Sequence, residues 1–172
     1  MATLVLTALG DDRPGLVEAL AGLIAEHGGS WSRSQMARLG GKFAGIVEAT
    51  VPDDAVEAVR AGLDALAAGG LLHTTLEATV EGQAPQGRRV IISLVGTDQP
   101  GLVHAVAAAL AAAGASIDEL ATSIREAPMA GGMMFEATAT VVLPARVTVH
   151  DVRDHLEALA THLMVDIAVD DT

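Results

Sequence analysis

The chain has 172 residues, about half of them apolar, and a formal net charge of −12. That acidic excess argues against direct nucleic-acid binding, because a surface that binds phosphates needs clustered cations. The sequence contains no cysteine, which excludes disulfides, thiolate zinc sites and a cysteine nucleophile.

The first half of the chain predicts the element order βαββαβ from its hydrophobic periodicity and turn residues. The predicted elements are a strand over 3–9, a helix over 14–26, strands over 30–39 and 42–51, a helix beginning after the acidic pair 53–54, and a strand over 72–81. Gly28-Gly29 ends the first helix, and Gly40-Gly41 joins the two middle strands as a hairpin.

The second half repeats the same order. Its predicted elements are a strand over 88–95, a helix over 100–113, strands over 116–124 and 133–143, a helix over 149–163 and a strand over 164–169. The connection over 125–132 is longer than its counterpart by six residues. Such a Gly- and Met-containing segment is typical of a mobile surface loop, and less often of a lid over a ligand.

This duplication predicts an α+β protein with two domains, over 1–81 and 88–172, joined by a short linker over 82–87. A βαββαβ unit with both helices on one face of an antiparallel sheet is the ferredoxin-like arrangement. The other sheet face and the sheet edges need cover. We therefore expect the two domains to lie close together, and a second copy of the chain to complete the assembly as a homodimer.

One phrase, Gly-x-Asp-x-Pro-Gly-Leu-Val, occurs in both halves, as GDDRPGLV at 10–17 and GTDQPGLV at 96–103. Each copy follows a predicted strand and precedes a predicted helix. The first amides of a helix lack intrahelical acceptors, and together with the helix dipole they favour a small anion such as a carboxylate. The phrase is therefore the leading candidate for a ligand-binding loop.

Three residues of the phrase have specific expected roles, which apply equally to the second copy. Pro14 fits the first helical turn, and Asp12 can accept hydrogen bonds from the free amides of that turn. Gly15 removes a Cβ at the helix start, which indicates a close neighbour. That neighbour is either another strand or domain, or an amino acid whose carboxylate faces the helix amides and whose ammonium group contacts Asp12 or a backbone carbonyl.

The repeated phrase, within a repeated βαββαβ order, resembles the ACT domains, small regulatory modules that bind amino acids and similar metabolites. The segments GDDRPGLVEALAGLIAEHGGSWSRSQMARLGGKFAGIVEATVP and GTDQPGLVHAVAAALAAAGASIDEL are most similar to tandem-ACT proteins grouped with the glycine cleavage system transcriptional repressor. In this family, ligands lie at domain interfaces, between the loop of one unit and the start of the second strand of a neighbour. The resemblance implies the ligand-binding residues Gly10, Asp12, Pro14, Gly15, Leu16, Val17, Ser30, Trp31, Ser32, Gly96, Asp98, Pro100, Gly101, Leu102, Val103, Ser116, Ile117 and Asp118.

Motifs for catalysis and for metal or cofactor binding are missing from the sequence. It contains no Gly-x-Ser-x-Gly elbow, phosphate-binding loop or dinucleotide fingerprint. Of the six histidines, His155 and His162 share a helix but lie about 10 Å apart along it, too far to bind one ion. We therefore expect no catalytic residue, no metal and no cofactor. The N-terminal apolar run is too short for a signal peptide or a membrane span, so we expect a cytoplasmic protein.

The resemblance implies a non-enzymatic regulatory protein that binds an amino acid of the glycine or serine class at ACT domain interfaces. The chain would signal to a protein partner, either a DNA-binding regulator or an enzyme, and would thereby control glycine-cleavage or one-carbon gene expression. Two alternatives remain open at this point. One is a regulatory subunit of an amino-acid or folate metabolic enzyme, and the other is a ligand-free dimerisation module.

Overall fold

The computed structural model describes residues 1–79, 87–127 and 131–171. Most of the predicted linker over 82–87, the end of the predicted strand over 72–81, and the centre of the connection over 125–132 lie outside the described residues. The chain divides into two compact units, Met1–Gly82 (unit 1) and Gln83–Thr172 (unit 2).

Unit 1 is a four-stranded antiparallel sheet with two helices, in the predicted βαββαβ order. Its elements are β1 (Ala2–Asp11), α1 (Leu16–Glu26), β2 (Ser30–Leu39), β3 (Lys42–Val51), α2 (Val56–Ala68) and β4 (His73–Thr79). The sheet order is β2-β3-β1-β4, so β1 and β3 are central and β2 is an edge strand. A single 3-10 turn, Asp53–Ala55, leads into α2.

Unit 2 has the same topology. Its elements are β5 (Arg88–Thr97), α3 (Leu102–Ala112), β6 (Ser116–Glu126), β7 (Met133–Leu143), α4 (Val149–Leu163) and β8 (Val165–Asp171). The sheet order is β6-β7-β5-β8, again antiparallel throughout. The predicted fold class, two ferredoxin-like α+β domains in tandem, is therefore confirmed.

The core of unit 1 is one continuous cluster of apolar side chains. Alternate residues of β1 and β3 point toward the helices, and residues spaced three or four apart on the helices meet them. The fully or almost fully buried members are Leu4, Leu6, Ala8, Leu16, Leu20, Ile24, Val47, Ala49, Val51, Val59, Leu63 and Leu72. Trp31 and Met36 of the edge strand β2 are partly buried against this cluster.

The core of unit 2 is divided into two clusters. The larger contains Val90, Ile92, Leu110, Ala115, Ala139, Val141, Leu143, Val152 and Leu156, and the smaller contains Leu94, Leu102, Phe135 and Val165. The smaller cluster lies where α3 begins. Packing in unit 2 is therefore less continuous beneath the first turns of α3 than in the corresponding part of unit 1.

Some predicted boundaries move by one or two residues, for identifiable reasons. The sequence predicts that the last strand begins at Met164, but that residue ends α4 in a left-handed conformation with φ of 52°. Strand β6 runs past Ile124 to Glu126, because Glu126 still pairs with Met133 across the hairpin. None of the helices in the described part of the chain is long and apolar enough to cross a membrane.

Helix α4 begins with a reciprocal capping interaction, and we expect its removal to lower the free energy of unfolding. The Thr148 hydroxyl accepts a bond from the Asp151 amide at 3.1 Å, and the Asp151 carboxylate accepts one from the Thr148 amide at 2.9 Å. Thr148→Ala should lower the free energy of unfolding by about 0.5–2 kcal/mol, measured by chemical denaturation. Thr161→Ala is the control, because that hydroxyl only bonds a carbonyl within the same helix.

The same interaction makes the stability of the fold depend on pH. Hydrogen bonds from Thr148 hold the pKa of Asp151 below its ordinary value of 3.8. The carboxylate therefore stabilises the fold above that value, and this contribution is lost as the pH falls through the lower folded pKa. We expect Thr148→Ala to flatten the acid limb of the stability profile, and an unchanged acid limb would contradict this assignment.

Candidate functional site

The repeated loop ends in both units at a glycine that caps a helix. Gly15 is the N-cap of α1 and makes no side-chain capping bond, as expected for glycine. The Ala19 amide donates to Gly15 O at 2.9 Å, so the amides of the three preceding helix residues have no intrahelical acceptor. In unit 2, Ala105 donates to Gly101 O at the same distance. Both loops therefore present helix amides to an anion.

The expectation that Asp12 caps α1 is wrong. Its carboxylate instead pairs with Arg38 at 2.6 Å, and its amide donates to Gly41 O at 3.0 Å. Pro14 precedes the N-cap and is not in the first helical turn. The helix starts later than predicted because Gly15 adopts a left-handed conformation, which no helical residue can share.

Within the described residues, no protein atom crowds the Cβ position of Gly15. A Cβ built there would meet only Glu18 Oε2, at 3.8 Å, and one at Gly101 would meet no described atom within 4 Å. The two glycines have φ of +93° and +91°. Glycine is required by the backbone conformation, which L-residues rarely adopt, and not by crowding.

The close approach occurs at the first glycine of the phrase instead. A Cβ on Gly10 would lie 2.7 Å from Leu71 O, and one on Gly96 would lie 2.3 Å from Val165 Cγ1. Both glycines are buried and sit near the end of a central strand. The neighbour is the last strand of the same unit or the residues just before it, so in each unit this glycine allows close packing.

The variable residue before the proline attaches the loop to the second helix of its own unit. Arg13 Nη2 donates to Gly70 O at 2.6 Å, and Gln99 Nε2 donates to Leu163 O at 2.7 Å. Two different side chains thus bind a carbonyl at the C-terminal end of α2 or α4. The sequence reasoning missed this role because the partner carbonyls are distant in sequence.

The first loop is surrounded by charged groups. Besides the Asp12–Arg38 pair, Lys42 donates to Asp11 across the strand pair and holds the pKa of that carboxyl below its ordinary value. The second loop differs. Within the described residues Asp98 has no ion pair, although its amide donates to Met133 O at 2.9 Å. Among the described residues, the loop 1 carboxylate Asp12 is therefore paired with a cation and the loop 2 carboxylate Asp98 is not.

The other half of the predicted site lies at the start of the second strand of each unit. A β-bulge between Trp31 and Arg33 leaves Ser32 outside the ladder, and the equivalent bulge between Ile117 and Glu119 leaves Asp118 outside. A bulge re-aims the side chain it displaces. No pattern in the sequence predicts these bulges. Asp118 pairs with Arg89 at 3.0 Å.

The structure does not bring the two halves of the predicted site together within one unit. Gly10 pairs with Phe43, whereas Ser30 pairs with Thr50, seven residues further along β3. At about 3.3 Å per residue this separates them by about 23 Å. The corresponding residues of unit 2 are arranged in the same way. A site that contains both halves needs a loop from one ACT-like unit and a strand start from another.

Three of the six histidines lie close to a carbonyl or carboxylate a turn away in the same helix. His27 Nδ1 lies 2.9 Å from Leu23 O, and His155 Nδ1 lies 2.7 Å from Asp151 O. His150 lies 3.5 Å from Asp154 on the same helix. Among residues 1–79, 87–127 and 131–171, no three His, Asp or Glu side chains are grouped closely enough to hold a metal ion.

Two ferredoxin-like units, each with a helix-capping loop of the same Gly-x-Asp-x-Pro-Gly-Leu-Val pattern, define a tandem-domain protein of the α+β class. The ACT domain family model matches residues 2–76 and 88–170. The chain therefore belongs to the ACT domain family, as its sequence resemblance implied.

Solved structures extend this likeness over the whole chain. An unknown protein from Galdieria sulphuraria is 28% identical, with a TM-score of 0.87 over 99% of this chain and 98% of that one. A candidate glycine cleavage system transcriptional repressor is 19% identical, with a TM-score of 0.72 over 98% of this chain and 96% of that one. At that identity the second likeness indicates the fold alone. No curated protein matches the sequence significantly.

Proposed function

We propose that this chain is a non-enzymatic regulatory protein that binds an amino acid through its ACT domains and signals to a protein partner. The observation that carries the proposal is the pair of loops whose helix amides have no intrahelical acceptor. An α-carboxylate is a suitable anion for such amides. Family membership supports the same class of ligand.

The ligand site is completed by a neighbouring ACT domain. In each unit the loop and the second-strand start lie at opposite ends of the sheet, so a ligand that contacts both joins two domains. Such a ligand stabilises the assembly in which the two domains form its site. The stabilisation cannot exceed the difference between the ligand's binding free energies for the assembled and the separated domains. The proposed signal is therefore a change of assembly, in which the chain acts as a homodimer.

The first loop favours a small polar ligand of the glycine or serine class. Its surroundings include Arg38, Lys42 and two aspartates, whose charged groups suit the polar atoms of such a ligand. The acidic net charge of −12 disfavours direct contact with DNA. Control of glycine-cleavage or one-carbon gene expression would then act through a DNA-binding partner.

The proposal is tested by the thermal midpoint of the purified full chain in the presence of glycine, serine, other amino acids and folates. A ligand at 100 times its Kd adds about 2.7 kcal/mol if it binds only the folded state. Asp12→Ala and Asp98→Ala should each remove the stabilisation at one loop. Asp64→Ala is the matched control, because Asp64 is exposed on α2, outside both loops.

Binding near the start of β2 also has an intrinsic reporter. Trp31 is the single tryptophan of the chain and is partly buried against the core of unit 1. A ligand that contacts it should change its emission with the same midpoint as the thermal stabilisation. A panel in which no compound shifts the thermal midpoint would contradict the proposal and would favour the ligand-free dimerisation module.

A further inference from the structure

All sulfur in this chain belongs to methionine, because the sequence contains six methionines and no cysteine. Peroxides oxidise a methionine thioether to the sulfoxide, which is polar and which methionine sulfoxide reductases convert back. Two methionines of unit 2, Met133 and Met164, are 46% and 83% exposed. We call them the loop methionines, because each lies beside a contact of the second loop.

Two hydrogen bonds connect the second loop to other elements of unit 2, and a loop methionine lies at each of them. The Asp98 amide donates to the Met133 carbonyl oxygen at 2.9 Å. The Gln99 side-chain amide donates to the Leu163 carbonyl oxygen at 2.7 Å, and Leu163 directly precedes Met164. A displacement of either loop methionine therefore acts on a bond that positions the second loop.

Unit 1 makes the corresponding connections without sulfur. The carbonyl oxygens of Gly41 and Gly70 accept the two bonds from the first loop. By the strand registers, Gly41 corresponds to Met133. Leu71 corresponds to Met164 in the same way. The first loop is therefore an internal reference for any effect of oxidation on the second.

Neither packing nor backbone preference explains a methionine at position 164. Met164 ends α4 with φ of 52° and is the only non-glycine residue with positive φ in the described part of the chain. Unit 1 has a glycine, Gly70 with φ of 67°, after the end of α2. The left-handed conformation is unfavourable for a residue with a Cβ, and such outliers are concentrated at functional sites. The large exposed fraction of the Met164 side chain leaves its sulfur accessible to an oxidant.

We propose that Met133 and Met164 are oxidation sites through which hydrogen peroxide loosens the second loop and leaves the first loop intact. One peroxide oxygen is transferred to the thioether sulfur: the O–O bond breaks, an S–O bond forms, the sulfur loses two electrons, and the other oxygen leaves with both protons as water. This inference goes beyond the proposed binding of an amino acid and does not depend on it.

The sulfoxide acts on the loop through the cost of burying a polar group. Part of the Met133 side chain is covered by protein, and a sulfoxide there loses its hydration. Its withdrawal toward solvent moves the start of β7, whose first carbonyl accepts the Asp98 bond. Oxidation of Met164 acts in the same direction, at the end of the helix that accepts the Gln99 bond.

The test is peroxide treatment of the full chain, with sulfoxides located by peptide mass spectrometry and amide exchange followed by NMR. We expect Met133 and Met164 to be oxidised before Met36, which is partly buried against the core of unit 1. The Asp98 amide should then exchange at least about threefold faster, as expected when one hydrogen bond of ordinary strength is lost. The Asp12 amide is the matched control and should keep its rate. Treatment with methionine sulfoxide reductase should restore the Asp98 rate.

Substitutions separate oxidation from a purely structural role. Met133→Leu combined with Met164→Leu removes both sulfur atoms at nearly constant volume, and this variant should exchange like untreated wild type before and after peroxide. Met133→Gln introduces a polar side chain and should accelerate Asp98 exchange without peroxide. Met129→Leu is a further control, because Met129 lies in the connection over 125–132 and outside the described residues, and it should leave the response unchanged.

Four results would overturn the inference. The first is an unchanged Asp98 rate after full oxidation of both loop methionines. The second is a peroxide response that persists in the double leucine variant, which would assign it to another methionine. The third is equal acceleration at Asp12 and Asp98, which would indicate a general loss of stability. The fourth, which needs no variant, is a wild-type Asp98 rate that stays high after the reductase has removed the sulfoxides. None of these results bears on the binding of amino acids.

Discussion

Replacement of Leu20 by alanine should lower the free energy of unfolding of unit 1 by about 2–5 kcal/mol. Leu20 is fully buried on α1 and belongs to the single core cluster of unit 1. The loss combines the transfer free energy of the deleted atoms with the cost of the cavity they leave. It is the largest effect we expect from one substitution near the first loop.

This loss can be measured in unit 1 through the fluorescence of Trp31, which packs against the same cluster. In urea denaturation, Leu20→Ala should move the midpoint of the Trp31 fluorescence transition to a much lower urea concentration. Val17→Ala is the control, because Val17 lies on the same helix but is 44% exposed. Leu20→Val, which introduces the residue of unit 2, should give an intermediate loss. Equal midpoint urea concentrations for Leu20→Ala and Val17→Ala would contradict the packing described for unit 1.

The second large effect is expected at the helix-capping glycine. Gly15→Val should cost about 1–3 kcal/mol, because a β-branched residue is strained at a φ of +93°. Gly15→Asn should cost less, since asparagine tolerates the left-handed region better than other L-residues. Both substitutions add a Cβ, so a difference between them reports backbone strain and not crowding.

Gly22→Ala provides the reference for these substitutions. Gly22 lies inside α1 with open space around it, so alanine there should stabilise the fold by up to about 1 kcal/mol. The free energies of unfolding of the wild type, Gly15→Val, Gly15→Asn and Gly22→Ala are compared by denaturation monitored through Trp31 fluorescence. Equal losses for Gly15→Val and Gly15→Asn would show that a neighbour, and not the conformation, requires glycine at this position.

The fold was predictable because the sequence patterns that define its strands, helices and turns are local and occur in both halves of the chain. The strands over 30–39 and 42–51 and the helix over 149–163 have the predicted boundaries, since the glycine pair of the hairpin and the regular spacing of apolar residues define them. Helix starts at the loops were predicted two residues too early. The left-handed conformation of Gly15 and Gly101 could not be predicted from the sequence, because glycine adopts positive and negative φ about equally readily.

The candidate site was less predictable, because its properties depend on tertiary contacts. The partner of Asp12 is Arg38, on the far strand of the hairpin, and this competes with the local capping role that the sequence favours. Asp98 makes no ion pair with any described residue, and this too depends on which side chains the fold places around it. A sequence repeat reveals such differences only when strand registers align the two copies, and the six-residue insertion in the second hairpin hides that alignment.

The most direct test of the amino-acid-binding account is calorimetric titration of the full-length wild-type protein with a panel of amino acids. We expect saturable binding of at least one of them, weakened by substitution of Asp12 or Asp98 and unaffected by Asp64→Ala. Binding that survives both loop substitutions would place the site elsewhere. The absence of saturable heat for every amino acid, with a protein that is folded and homogeneous, would contradict the account.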